Sequence, residues 1–293
     1  MLASVYFDTW LETFVLPFRA ENTVKCSRRA FASLPASILR TDLSALDGMQ
    51  LQAAINAQAR RHPRAAQLTF AALHVAMAKA VQLGYLPRSP MDACVKPRHT
   101  AAKAQVLTVP QLAAYIQQAQ QSHCYVLLLC LAVCGLRRGE ALGLTWRAVD
   151  LQAGVMHITQ QRMRGTGGYV VRPLKSAASH RQVIIPPPLA AILERQRAAQ
   201  RVRSLSGWVL DTTPEALARE HAAVIAAAGL PHVTLHGLRH SMACGAVASG
   251  CPIKILQGIL GHAKYQLTAD LYADHLSAAV SAPYMQRYAA SIF

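Results

Sequence analysis

Residues Cys124–Cys134 read Cys-Tyr-Val-Leu-Leu-Leu-Cys-Leu-Ala-Val-Cys, with no charge and no polar face anywhere along the run. A helix apolar all round has to be covered on every side. The run falls well short of the roughly 20 residues that span a bilayer, so the cover must be protein. It therefore reads as a buried helix, and Gly135 closes it. At 293 residues the chain is long enough for such a core, with two ordinary domains or one large one as the expectation.

Periodicity sorts the rest of the chain around that helix. Residues 1–97 look helical throughout and finish on an apolar-periodic stretch from Ala65 to Leu83, stopped by Gly84 and Pro87. Residues 98–107 lack a clear period and read as a linker. A new start follows at Thr108-Val-Pro-Gln111, a capping-box pattern with proline in the first turn, so a second domain is expected over 108–293. Beyond about residue 145 the pattern turns β-rich at Val155–Thr159, Tyr169–Arg172 and Gln182–Ile185. Gly165-Thr-Gly-Gly168 supplies the turn between the first two. Helical composition returns from Pro188. The fold class expected is mainly α with a small antiparallel β-sheet.

Charge narrows the partner. Thirty Lys and Arg against fourteen Asp and Glu leave a formal charge of +16 and a pI near 10.0, which points to a polyanion. The basic residues are spread along the chain and not gathered in one juxtamembrane run, so nucleic acid is favoured over a membrane surface. The N-terminus has no basic lead into an apolar stretch, and a cytoplasmic location is expected. The seven cysteines are odd in number and form no C-x-x-C pair, and they read as reduced core residues.

Four short stretches could carry chemistry. In Thr234-Leu-His-Gly-Leu-Arg-His-Ser-Met242, His236 and His240 share a helix face, but the zinc-hydrolase pattern needs a glutamate where Gly237 stands. No carboxylate occurs from Leu238 to Gly250, and neither a metal nor a cofactor is expected. His236 and Arg239, three apart, instead suit two oxygens of a phosphate. In Cys134-Gly-Leu-Arg-Arg-Gly-Glu140, Arg137 sits in the turn, Glu140 is placed to orient its guanidinium, and Arg138 faces elsewhere. Capping of the preceding helix's carbonyls by Arg137 is the competing reading. Lys175 lies in a turn between β-segments, where a lone lysine is ordinarily a solvated charge. In the fourth stretch a short Leu260-Gly-His262 turn precedes a helix bearing Tyr272, and a lone tyrosine there would be core.

Taken in chain order, these stretches resemble the tyrosine recombinase (phage integrase) family, whose motifs run GLR…E, a β-hairpin lysine, HxLRH[ST], LGH and a tyrosine some ten residues later. The resemblance covers the whole second domain and extends loosely to the first, which is similar to the family's helical core-binding domain. It implies that Arg137 and Arg239 bind the scissile phosphate, Lys175 protonates the leaving 5′-oxygen, His236 and His262 assist, and Tyr272 is the nucleophile. Glu140 and His240 would support the arginines. Tyr265, three residues past His262, fits the apolar position before the helix. The implied partners are double-stranded DNA, three further copies in a homo-tetramer assembled on two sites, and accessory DNA-bending proteins, with the protein associated with the nucleoid. The residues Ser277 to Phe293 would dock onto a neighbouring copy. Cys134, Gly237 and Ser241 stand where many members have threonine, aspartate and threonine. The sequence opens on the core-binding region, so no arm-binding domain is expected.

The expected activity is therefore site-specific DNA breaking and rejoining for a mobile element. Two other readings remain open on the sequence: a catalytically silent DNA-binding relative, and a type IB topoisomerase that relaxes DNA without exchanging strands.

Overall fold

The computed structural model describes residues 1–99, 105–165, 167–174, 177–200, 207–261 and residue 286. The chain divides into two compact units, Met1–Ala102 and Lys103–Phe293.

The first unit is helical, in the order α1 (Ala3–Trp10, prolonged by a π-helical turn Leu11–Val15), α2 (Glu21–Ala32), α3 (Ala36–Leu39), α4 (Gly48–Arg61) and α5 (Pro63–Gln82). Its core is aromatic. Phe7 stacks on Phe31 at 4.4 Å, and Trp10 meets the same ring edge-on at 5.7 Å. The buried Tyr6 hydroxyl donates to the carbonyl of Ala76 at 2.6 Å, which ties α1 to α5. Asp47 caps α4 by accepting from the Gln50 amide at 2.9 Å. Helix α5 stops one residue short of the sequence reading, with Gly84 at a φ of 75° just beyond it.

The second unit opens at α6 (Val109–Ala119), whose capping box forms as the sequence predicts: Gln111 Oε1 accepts from the Thr108 amide at 2.9 Å. Leu107, in the span read as linker, is already buried in this unit's core. The apolar run becomes α7 (Tyr125–Cys134), with Leu127, Leu128, Cys130 and Leu131 fully covered. The cover comes from α6, α8 (Arg138–Leu142), α9 (Pro187–Ala199) and α11 (Leu235–Ala248). α10 (Pro214–Ala227) packs on α6, where Tyr115 and His221 meet in a buried bond of 2.9 Å. The last described helix is α12 (Ile253–Leu260).

The β segments differ from the sequence reading. They form two sheets: β1 (Val149–Asp150), β2 (Val155–Ile158) and β5 (Arg181–Ile184) in the order β1-β2-β5, and a separate hairpin of β3 (Gln160–Gly165) and β4 (Gly168–Pro173), all antiparallel. The glycine turn thus joins β4 to β3, a strand whose sequence, Gln-Gln-Arg-Met-Arg-Gly, has no apolar alternation to announce it. β3 is held by its backbone instead. It lies on α8, where a Cβ at Gly143 would meet the Arg162 amide nitrogen at 2.9 Å, and Gln160 Nε2 donates to the Gly143 carbonyl at 2.8 Å. Among the described residues no helix is long and apolar enough to cross a membrane.

Candidate active site

The final three residues from α12 into its cap gather the site. A helix leaves its last carbonyls without intrahelical partners and carries partial negative charge there. In α12 these carbonyls are met by arginines from three other elements. Arg181 Nε donates to Ile259 O at 2.6 Å, Arg239 Nη2 to Leu260 O at 2.6 Å, and Arg137 Nη2 to Gly261 O at 3.0 Å. Gly261 ends the helix in the left-handed region at a φ of 63°, and a Cβ on it would press within 3.0 Å of Ala178 O and of the Arg181 side chain. Only glycine brings the three guanidiniums this close around one turn.

Arg239 is also pinned from the other side. Its Nη1 donates to Gly135 O at 2.5 Å, the carbonyl that closes α7, and the residue is only 1% exposed. The capping role weighed for Arg137 is therefore performed on α7 by Arg239. Arg137 stands at the N-cap of α8, its side chain 35% exposed, with two of its donors directed to Glu140 and Gly261.

Glu140 is the counter-charge. Its carboxylate, 2% exposed, accepts from the Arg137 amide at 2.9 Å and from Arg137 Nη1 at 2.7 Å. From the opposite side it accepts from Arg181 Nη1 at 3.2 Å and Nη2 at 2.9 Å. Burial by itself would raise its pKa. The hydrogen bonds and charge of Arg181, followed by the Arg137 amide and side chain, outweigh that and hold the carboxyl below its ordinary value. Two guanidiniums thus share one carboxylate, and the third, Arg239, is held nearby on backbone carbonyls alone. The excess shows in Arg239, whose pKa is pulled down to about 9 by burial first and then by Arg137, with Glu140 opposing and Arg181 adding to the repulsion. It remains charged at neutral pH, and a bound anion would relieve the repulsion.

The same helix carries both histidines. Thr234 caps α11, accepting from the Gly237 amide at 3.0 Å. One turn in, the rings of His236 and His240 meet edge to face at 4.4 Å. Burial, then Arg239 and Arg137, lower the pKa of His236; burial, then His236 and Arg239, bring His240 to about 4. Both rings are neutral at pH 7. Beside them opens a cleft of about 1010 Å³ with Arg137, Arg138, Arg162, Arg164, His232 and His236 on its walls. Arg138, expected to face away, lines this cleft together with Arg137.

The model of the phage integrase family matches residues 105–278. This chain belongs to the phage integrase family. Its relatives among the tyrosine recombinases include a XerC-like recombinase of Caldanaerobacter subterraneus subsp. tengcongensis, 30% identical over 54% of this chain and 47% of that protein. Here the chain spans about half the relative's length. XerC of Xylella fastidiosa is 24% identical over 78% of this chain and 76% of its own. In fold, the chain is similar to the Tn1549 transposon integrase in complex with transposon right end DNA, with a TM-score of 0.82 and 18% identity over 99% of this chain and 100% of that one.

Within this phage integrase chain, Arg137, Glu140, His236, Arg239 and His240 lie in or beside the cluster built on α8 and α11. His240 touches His236, while the described hydrogen bonds of Arg239 run to the Gly135 and Leu260 carbonyls. Lys175, His262 and Tyr272, with Tyr265 and nearly all of 277–293, fall outside the described residues. The connection bearing Lys175 leads from β4 in one sheet to β5 in the other, not between paired strands. One participant, Arg181, was missed in the sequence, and Ser241 was read there only as a motif position, without its structural part. Arg181 gave no periodic or motif signal on its own. Ser241, buried in α11, accepts from the Leu107 amide at 2.8 Å and donates to Gly237 O at 2.8 Å, which fixes the entry to the unit.

Proposed function

We propose that the chain is a site-specific DNA recombinase that cuts and rejoins strands through a 3′-phosphotyrosyl link, in the service of a mobile genetic element. The observation that carries the reading is the convergence of Arg137 and Arg239, from separate helices, on the adjacent carbonyls of Gly261 and Leu260. Two fixed guanidiniums make a seat for the non-bridging oxygens of one phosphodiester, and because they are held in place beforehand they need no reorganisation as charge grows in the transition state.

In this mechanism Tyr272 Oη attacks phosphorus. The P–O bond to tyrosine forms as the P–O5′ bond breaks, the electron pair leaves on O5′, and Lys175 supplies its proton. The neutral ring of His236 is suited to take the phenol proton, and His262 assists at the phosphate. Bond energy is conserved in the phosphotyrosine, so a 5′-hydroxyl of another strand reverses the step without a nucleotide cofactor. Family membership and the +16 charge support duplex DNA as the substrate. Assembly as a tetramer on two sites, with DNA-bending accessory proteins, belongs to the same proposal.

The test is a pool of singly nicked duplexes, randomised across the cleavage region and incubated with the full chain in EDTA. A covalent protein–DNA adduct is expected, absent in Tyr272→Phe. No adduct from any duplex would leave a silent DNA binder; an adduct with relaxation but no exchange between two selected sites would leave a topoisomerase.

A further inference from the structure

Arg181 opens β5 with its side chain only 5% exposed. Nε donates to Ile259 O, Nη1 to Glu140 Oε1 and to Ser179 O, and Nη2 to Glu140 Oε2. Four of its five N–H groups are committed inside the protein, so it is built into the wall of the site and is not available as a phosphate ligand. What it grips matters more. One grip is the carboxylate that orients Arg137; the other is the carbonyl two residues before the one that Arg137 itself holds. Between them lies Leu260, held by Arg239.

We propose that Arg181 is a positioning residue for strand cleavage: it locks Glu140 and the C-terminal end of α12 into one frame, so that Arg137 and Arg239 face a single phosphate. The role in cleavage rests on the recombinase reading above; the brace itself rests on the four hydrogen bonds. Without Arg181, Glu140 would keep one guanidinium where it had two, and in a buried site desolvation would then favour the protonated acid. A protonated Glu140 cannot serve the Arg137 amide and the Arg137 guanidinium as a two-oxygen acceptor. The turn at Gly261 would lose its tether to β5 at the same time. That turn leads in sequence to His262 and Tyr272, so the frame around the arginines is also the point from which the nucleophile's segment departs.

The full-length chain is compared with Arg181→Met and Arg181→Lys, each with and without Glu140→Gln. Two readouts are taken. Carboxyl-labelled glutamate NMR follows the titration of Glu140, assigned by its absence in Glu140→Gln. Adduct formation and DNA affinity are measured on a nicked duplex selected with the wild-type chain. For Arg181→Met the expected result is Glu140 titrating at higher pH and adduct formation slowed roughly 10- to 100-fold, as for a catalytic group displaced by a fraction of a bond length, with affinity almost unchanged. Arg181→Lys keeps the charge but not the fork and falls between the two. In the Glu140→Gln background Arg181→Met adds no more than about twofold, because both changes break one device.

Wild-type adduct rates in Arg181→Met, losses that multiply in the double variant, or a loss that follows DNA affinity alone would overturn the proposal. Should the Met variant not fold, Arg181→Lys decides by the same readouts, and an unchanged adduct rate in it would overturn the proposal. If the wild-type chain forms no adduct on any duplex, the recombinase reading fails separately. The Glu140 titration then still tests the brace, and an unmoved titration would sink it.

Discussion

Both units close on apolar helices, yet they bury different polar groups. Among the described residues the first buries Thr69 and Ser89, whereas the second buries Glu140, Arg239, His221, Ser179 and Ser241. The first has a core assembled from aromatic and aliphatic contacts, with its charges left at the surface. The second keeps charge inside, at a desolvation cost that only dense pairing can offset. Natural chains tolerate such groups where a site needs charge held in place before its ligand arrives. On the recombinase reading, the contrast therefore places the chemistry in the unit that tolerates the costly groups.

The comparison breaks most readily at the arginines. Arg239→Gln should slow adduct formation by about 100- to 1,000-fold or more, as for the loss of one oxyanion donor. Arg60→Ala, at the exposed end of α4, should alter DNA affinity and leave the rate at saturating DNA intact. Equal effects on the rate would erase the distinction between the units. Next come the cores. Leu128→Ala in α7 and Leu73→Ala in α5 remove fully buried side chains, and each should cost about 2–5 kcal/mol by denaturant unfolding. A much smaller cost at Leu128 would mean that α7 is not the centre of its unit.

Acid sharpens the contrast further. His221, His236 and His240 all have folded pKa values below the ordinary histidine value, each through burial first. The unfolded chain therefore takes up these protons before the folded one does. Stability that is complete above about pH 6.5 declines as the pH falls towards the folded values, with His240 reaching its own at about 4. Glu140, also lowered, adds its loss only further into acid. In the first unit the shifted carboxyl is that of exposed Asp42, bonded to the N-terminal ammonium and Ser44, and it too acts only in stronger acid. Pulse proteolysis with fragment mass analysis should find the second unit weakening between pH 7.5 and 5 while the first holds; parallel weakening would contradict the assignment of neutral histidines to the site. The smallest effect is at helix caps. Asp47→Ala and Thr234→Ala should each cost about 1 kcal/mol, but only the latter, at the start of the helix bearing His236 and Arg239, should slow adduct formation.

Much of this was legible in the sequence where one residue type has one physical use. An apolar run without a wet face must be interior, and α7 is. Thr108 and Gln111 three apart before an apolar period make a capping box, and they form one. Glu140 three residues after Arg137 reaches its guanidinium. Other features depend on partners that no local pattern reveals. β3 has no alternation because it is held through backbone laid on Gly143. Arg181 is a single arginine in a short strand, and its meaning comes from Glu140 and Ile259, 41 and 78 residues away along the chain. The exchange of capping roles between Arg137 and Arg239 is of the same kind: any arginine nearby can satisfy a helix end, and only tertiary placement chooses. For Lys175, His262 and Tyr272, motif order within the family remains the support.

The central claim is that the guanidiniums of Arg137 and Arg239 hold one DNA phosphate for attack by a particular phenol. The most direct measurement is to digest the covalent adduct with trypsin and nuclease and locate the nucleotide by mass spectrometry. The account predicts a nucleotide joined through its 3′-phosphate to Tyr272 itself, distinguished by fragmentation from Tyr265 on the same tryptic peptide, residues 265–287. A nucleotide on Tyr265 or on any other side chain, or a phosphate joined through its 5′-oxygen, would contradict it.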